Sequence, residues 1–220
     1  MPLLPLFPLG TVLLPGARLP LQLFEPRYLD LAQRLAGLPE DERTFGVVLI
    51  RQGHEVGADA AGDLHAVGCE ARVDAMTLAS GGVGTVVHLV ATGVRRFRVE
   101  GIEDAGTPYL TARVTWLVEQ PASDDPAVHG LVEQVRVAHE RYLATLGARV
   151  EPVEEVLGRV AYRTVEQMVL DPTDRQRVLE GDDAATRLRT VLALLRRETA
   201  LVGRFGALPT PPDPGGAALN

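Results

Sequence analysis

Three arginines on one short run, Arg95, Arg96 and Arg98 around Phe97, are the densest cluster of positive charge in the chain. Strand alternation sends Phe97 to one face and Arg96 and Arg98 to the other. Phe97 then reads as core, and the arginines have three uses: an ion pair to a nearby carboxylate, contact with a peptide or anion, or contact with nucleic acid. Glu25 and Arg27 flank Tyr28's side of a helix start and read as a helix-start acceptor and its exposed or paired neighbour. The histidines at 54, 65, 88, 129 and 139 form neither HxxxH nor HExxH, so no zinc helix is expected. Cys69 is the only cysteine and reads as a buried thiol in a strand.

What is missing narrows the chemistry further. All 22 basic residues are arginine. A Schiff base, a Ser–Lys dyad and a P-loop lysine are therefore excluded, and arginine stays protonated and cannot serve as a general base. Ser80 and Ser123 are the only serines, and neither has a lysine partner. No cofactor, metal or catalytic residue is expected, and the chain reads as a non-enzyme.

The balance of charge points the same way. Net charge is −7, with 10 arginines against 14 acids in residues 1–120 and 12 against 15 in the remainder. Nucleic acids are held mainly through phosphate neutralisation, so this composition disfavours them as partners. No apolar run approaches a membrane span, and the opening MPLLPLFPLG lacks a basic leader, so the expected location is the cytoplasm with no membrane partner.

The elements that must position any site fall into two lobes. Strands are predicted over 3–7, 11–14 and 19–24, broken by Pro8-Leu9-Gly10 and Pro15-Gly16. A helix follows from Glu25 or Pro26 to Gly37, with Tyr28, Leu31, Ala32 and Leu35 on one face. An apolar central strand spans 45–50, a loop 53–62, and further strands 64–78, 84–90, 95–100 and 109–118, with Ser80-Gly81-Gly82 as a turn. Many short strands with one early helix suggest a closed or folded-over sheet. After the boundary PASDDP the period becomes helical. Val128, Leu131, Val132, Val135, Ala138, Tyr142 and Leu146 form one stripe, and Val153, Val156, Leu157, Val160 and Met168 a second. Asp171-Pro172-x-Asp174 is a helix start in which Asp174 reaches back to a free amide, and a last helix carries Leu188, Val191, Leu192, Leu195 and Val202. The fold class is α+β: a β-rich lobe over 1–120, a helical bundle over 125–203 and a disordered tail over 209–220.

The opening LPLFPLGTVLLPGARLPLQLFEPRYLDL, with FGVVLI, VGCEARV, ATGVRRFRV and the closing DPTDRQRVLEGDDAATRLRTVLALLRRE, resembles the amino-terminal substrate-binding domain of Lon proteases over residues 3–201. That resemblance implies a PUA-like β fold followed by a helical bundle, which engages unfolded or tagged polypeptides. GxxxxGK[ST] is absent, so the chain is expected to be a recognition module without a motor, acting in protein quality control on unfolded or partner proteins. Leu9, Leu13, Leu14, Leu19, Leu21 and Leu23 outnumber what one sheet face readily buries. Together with Arg96 and Arg98 they are the candidate polypeptide-binding residues. Two other readings remain open: RNA or nucleotide binding through the PUA-like lobe, and a small-molecule site at the lobe junction.

Overall fold

A computed structural model describes residues 1–51, 64–81, 84–119, 126–148 and 156–205. The expected loop over 53–62, most of the PASDDP boundary, the stripe position Val153 and the tail from 209 lie outside the described residues. The chain forms two compact units, one spanning Met1–Val118 and the other beginning at Glu119.

The first unit is a mixed sheet. Its strands are β1 (Leu3–Leu9), β2 (Arg18–Leu23), β3 (Thr44–Leu49), β4 (Val67–Gly81), β5 (Gly84–Glu103) and β6 (Thr111–Trp116), with helix α1 (Pro26–Ala36) between β2 and β3. Their order is β2-β5-β4-β3-β1-β6, and an added β5–β6 pairing closes five of them into a barrel. β1 and β3 run parallel and the remaining pairs antiparallel. Closure removes edges that would otherwise invite pairing with other chains.

A single ring sets the spacing of the barrel. Phe97 is fully buried with Leu4, Leu6, Val48, Leu64, Ala112 and Val114, and meets Trp116 edge-on at 6.3 Å between ring centroids. Glycines on two neighbouring strands make room for it. A Cβ at Gly46 or Gly68 would stand 2.7 Å or 2.5 Å from Phe97 Cζ. Gly93 serves a second close approach, because a Cβ there would collide with the Leu14 carbonyl oxygen.

Two expected elements differ from those observed. Residues 11–14 are not a strand: Val12, Leu13 and Leu14 pack as buried irregular chain, while Gly16 and Ala17 exchange backbone hydrogen bonds with Gly93. Separate strands over 84–90 and 95–100 are one strand, β5, because Gly93 permits the close approach without ending the ladder. α1 begins after Glu25 and ends at Gly37, with Tyr28, Leu31, Ala32 and Leu35 buried. The Glu25 carboxylate makes no cap and instead accepts from Arg27 Nε at 2.8 Å. Phe7 stacks on Tyr28 at 3.9 Å and ties α1 to β1.

The second unit is helical: α2 (Pro126–Thr145), α3 (Val160–Glu166), α4 (Pro172–Glu180) and α5 (Ala184–Phe205). Leu188, Val191, Leu192, Leu195 and Val202 are buried as the helical period requires. Asp171 caps α4 by accepting from the Asp174 amide at 2.9 Å. The Asp174 carboxylate does not reach back to an amide, since Arg177 and Arg197 hold it. Arg187, almost wholly buried, donates to Glu119 at 2.6 Å and to the Gly181 carbonyl at 3.0 Å. His139 is buried on α2, and burial pushes its imidazole below the ordinary 6.5 against the opposing pull of Glu140.

Phe97→Ala should lower the stability of the barrel by roughly 3–5 kcal/mol, the range for emptying an aromatic core position. Urea unfolding followed through the single tryptophan, Trp116, measures it, and a loss under about 1 kcal/mol would contradict a barrel spaced by this ring.

Candidate functional site

Of the residues expected to bind polypeptide, the leucines are core. Leu9, Leu13, Leu14, Leu19, Leu21 and Leu23 are all buried, none more than 9% exposed. The reason is closure. β1 contributes an interior strand, the irregular 11–14 stretch packs inward, and the alternating positions of β2 all face the same covered side. They shape the unit without offering a free surface.

The arginine run is divided as well. Arg96 is 2% exposed, which removes it from solvent contact, and Arg98 is exposed. Arg95, the neighbour not singled out, carries the informative geometry. Its guanidinium lies 3.6 Å from the centroid of Trp116, and its Nε donates to Glu70 at 2.6 Å. Glu70 is itself buried, so the pair neutralises a carboxylate that would otherwise lack a cation beside it. Phe97, Trp116 and Arg95 thus form a stack from the core outward. A continuous cationic strip for phosphates is not what these three arginines form.

An apolar groove lies elsewhere on the same unit. β4 and β5 are 15 and 20 residues long, while β1, β2, β3 and β6 have 6 or 7. Their shared distal half continues as a hairpin, with Met76 opposite Leu89 and Leu78 opposite Val87. Met76 and Leu78 are two residues apart and so share a face. α1 supplies the facing wall through Leu29, Gln33 and Ala36, the flank beside its buried stripe, and through Ala32 of the stripe itself. Arg43 and Thr85 complete the lining of a groove of about 500 Å³.

Its exposure and edge give the groove its chemistry. Leu78 is 64% exposed, while Ala32 and Val87 form a buried floor. Arg43 is held at the groove's border by donating from Nε to the Leu38 carbonyl at 2.9 Å. Val73 donates to the Arg43 carbonyl at 2.9 Å. Beyond that point β4 has β5 as its only strand neighbour among the described residues, which leaves its opposite backbone edge without a described strand partner. Sequence reasoning placed Met76 and Leu78 in a strand but did not select them. The available signal was an apolar i, i+2 pair beside a glycine turn.

Among the described residues no group of three or more His, Cys, Asp or Glu is placed to hold a metal ion, and no helix is long and apolar enough to cross a membrane. Cys69 is buried in β4.

Comparison with known proteins agrees with this architecture. The profile of the ATP-dependent protease La (LON) substrate-binding domain matches residues 3–197. The chain belongs to the LON substrate-binding domain family. A Lon N-terminal domain protein from Xanthomonas campestris is similar in structure, with TM-score 0.59 and 33% identity over 88% of this chain and 98% of that one. The N-terminal domain of the Mycobacterium avium complex Lon protease has TM-score 0.57 and 18% identity over 89% of this chain and 98% of that one, a likeness of fold. No curated protein matches the chain. The family is one of polypeptide-recognition modules, and the closed barrel with its helical unit is the fold it shares with these neighbours.

The two exposed arginines should separate in a mutational test. Arg95→Ala should cost about 1–3 kcal/mol, because it uncovers Trp116 and leaves buried Glu70 without its partner. Arg98→Ala should stay within about 0.5 kcal/mol. Equal losses in urea unfolding would contradict the assignment of Arg95 to the barrel.

Proposed function

We propose that the chain is a non-catalytic module that captures extended apolar segments of unfolded or partner polypeptides in the groove between α1 and the β4–β5 hairpin. The observation that carries this reading is the juxtaposition of an apolar wall, half-buried Met76 and exposed Leu78, with a β4 edge that has no strand partner among the described residues. An extended peptide needs both parts. Main-chain pairing along the edge supplies affinity without regard to sequence, and alternate side chains enter the apolar pocket. The unbranched, polarisable Met76 can reshape to different side chains. Family membership supports a role in recognising polypeptide substrates.

Nothing in the groove is arranged for catalysis. Among the described residues its lining contains no carboxylate pair, thiol or histidine, and Arg43 is the one ionisable group. The lining also favours apolar chains over phosphates, so nucleic acid remains the poorer partner. The buried single thiol suits a reducing compartment, and the cytoplasm is where we place its action.

Binding to a permanently unfolded, reduced and alkylated client, measured by fluorescence anisotropy, should weaken about tenfold or more in Leu78→Asp, the loss of one central apolar anchor. The Leu78→Met variant should bind within about threefold of the parent. Leu78 is exposed, so stability should barely change. Undiminished binding by a folded Leu78→Asp protein, or client-stimulated ATP hydrolysis or cleavage by the purified chain, would defeat the proposal.

A further inference from the structure

The outward face of α2 has a pattern that the groove on the first unit does not use. Glu133, Val137 and Arg141 follow one another at four-residue steps, and all three are exposed. Val137 is 65% exposed, a bare apolar side chain in the middle of a 20-residue helix. Each step of four advances about 6 Å along the axis and rotates about 40°, so the three form one stripe. The acid stands one turn before the valine and the base one turn after it. The stripe borders a groove of about 710 Å³ between α2 and α5, whose apolar lining includes Ala138, Leu192 and Ala200.

We propose that this face is the contact between two copies of the chain, related by a two-fold axis passing beside Val137. Antiparallel α2 helices on that axis set Val137 against its counterpart. Glu133 of each copy then meets Arg141 of the other, twice by symmetry, as an isologous contact requires. A parallel arrangement would set like charges together, so the pattern selects one orientation. The small residues Ala138 and Ala200 let a second helix settle closely into the groove. Glu133 already has a partner in Arg136, but at 3.4 Å and exposed to solvent, so exchanging it costs little. A contact a few turns long falls short of the ~800 Å² per partner of a standard interface, which makes this a weak, concentration-dependent dimer.

Sedimentation equilibrium of the 220-residue chain from about 1 to about 100 μM covers the range such a dimer should occupy. The parent should dimerise reversibly. Glu133→Arg, Arg141→Glu and Val137→Asp should each weaken association at least tenfold while circular dichroism reports an unchanged helical fold. An equimolar mixture of Glu133→Arg with Arg141→Glu should dimerise again, because every pair across the axis is then opposite in charge. A parent that stays monomeric across the range overturns the proposal. So does a dimer indifferent to these substitutions, or a mixture of the two charge variants that remains monomeric.

Discussion

The Phe97 ring, seated over Gly46 and Gly68, is the constraint on which the first unit rests. Register places Gly68 directly opposite Phe97, and Gly46 lies on the next strand. Any side chain at either glycine would push the ring out and part β3, β4 and β5. The ring in turn holds Trp116 of β6 edge-on, so the strand that closes the barrel is anchored to the strand that it must meet. Trp116 then carries Arg95, and Arg95 carries buried Glu70. Core packing and a surface ion pair are parts of one column.

Closure around this column decides where binding can occur. The apolar amino-terminal segment is consumed by the interior, so its leucines cannot also form a receptor surface. The surplus is in β4 and β5, which outrun their barrel partners and leave a hairpin that pairs with β2 along β5, faces α1, and has no strand partner along the far edge of β4 among the described residues. A binding groove there costs the barrel little, since its walls are the flank of α1 and the distal half of a hairpin. Stability and recognition are thereby assigned to different stretches of the same strands. The helical unit follows a similar division: a buried network around Asp174 and Arg187 fixes its helices, while the face of α2 with Val137 is left bare.

Much of this was legible from residue pattern alone. The buried stripe of α1, the central strand around Phe45 and Val47, the Asp171 cap and the core face of α5 followed from period and capping chemistry. The family followed from the opening segment and GVRRF. Exposure was not legible, for a physical reason. Alternation tells which side of a strand a residue takes, but whether that side is covered depends on partners distant in sequence. Leu21 and Leu78 look alike as strand leucines, yet one is 3% and the other 64% exposed. Arg96 is similar: alternation sets it on the side opposite to Phe97, and its burial was not foreseeable from the run of arginines. The continuity of β5 through Gly93 was hidden because a glycine in a strand reads equally as a break or as a close approach.

Hydrogen exchange of the full chain, with and without a saturating unfolded client, tests the central claim most directly. Amides on the open edge of β4 at 75–79 are not held by a strand on that side and should exchange readily when free. Client binding should slow them, together with the flank of α1 around Leu29–Ala36, and should leave β1, β2 and the α2 face unchanged. Protection confined to the helical unit, or binding with no slowing along β4, would contradict capture in the groove between α1 and the β4–β5 hairpin.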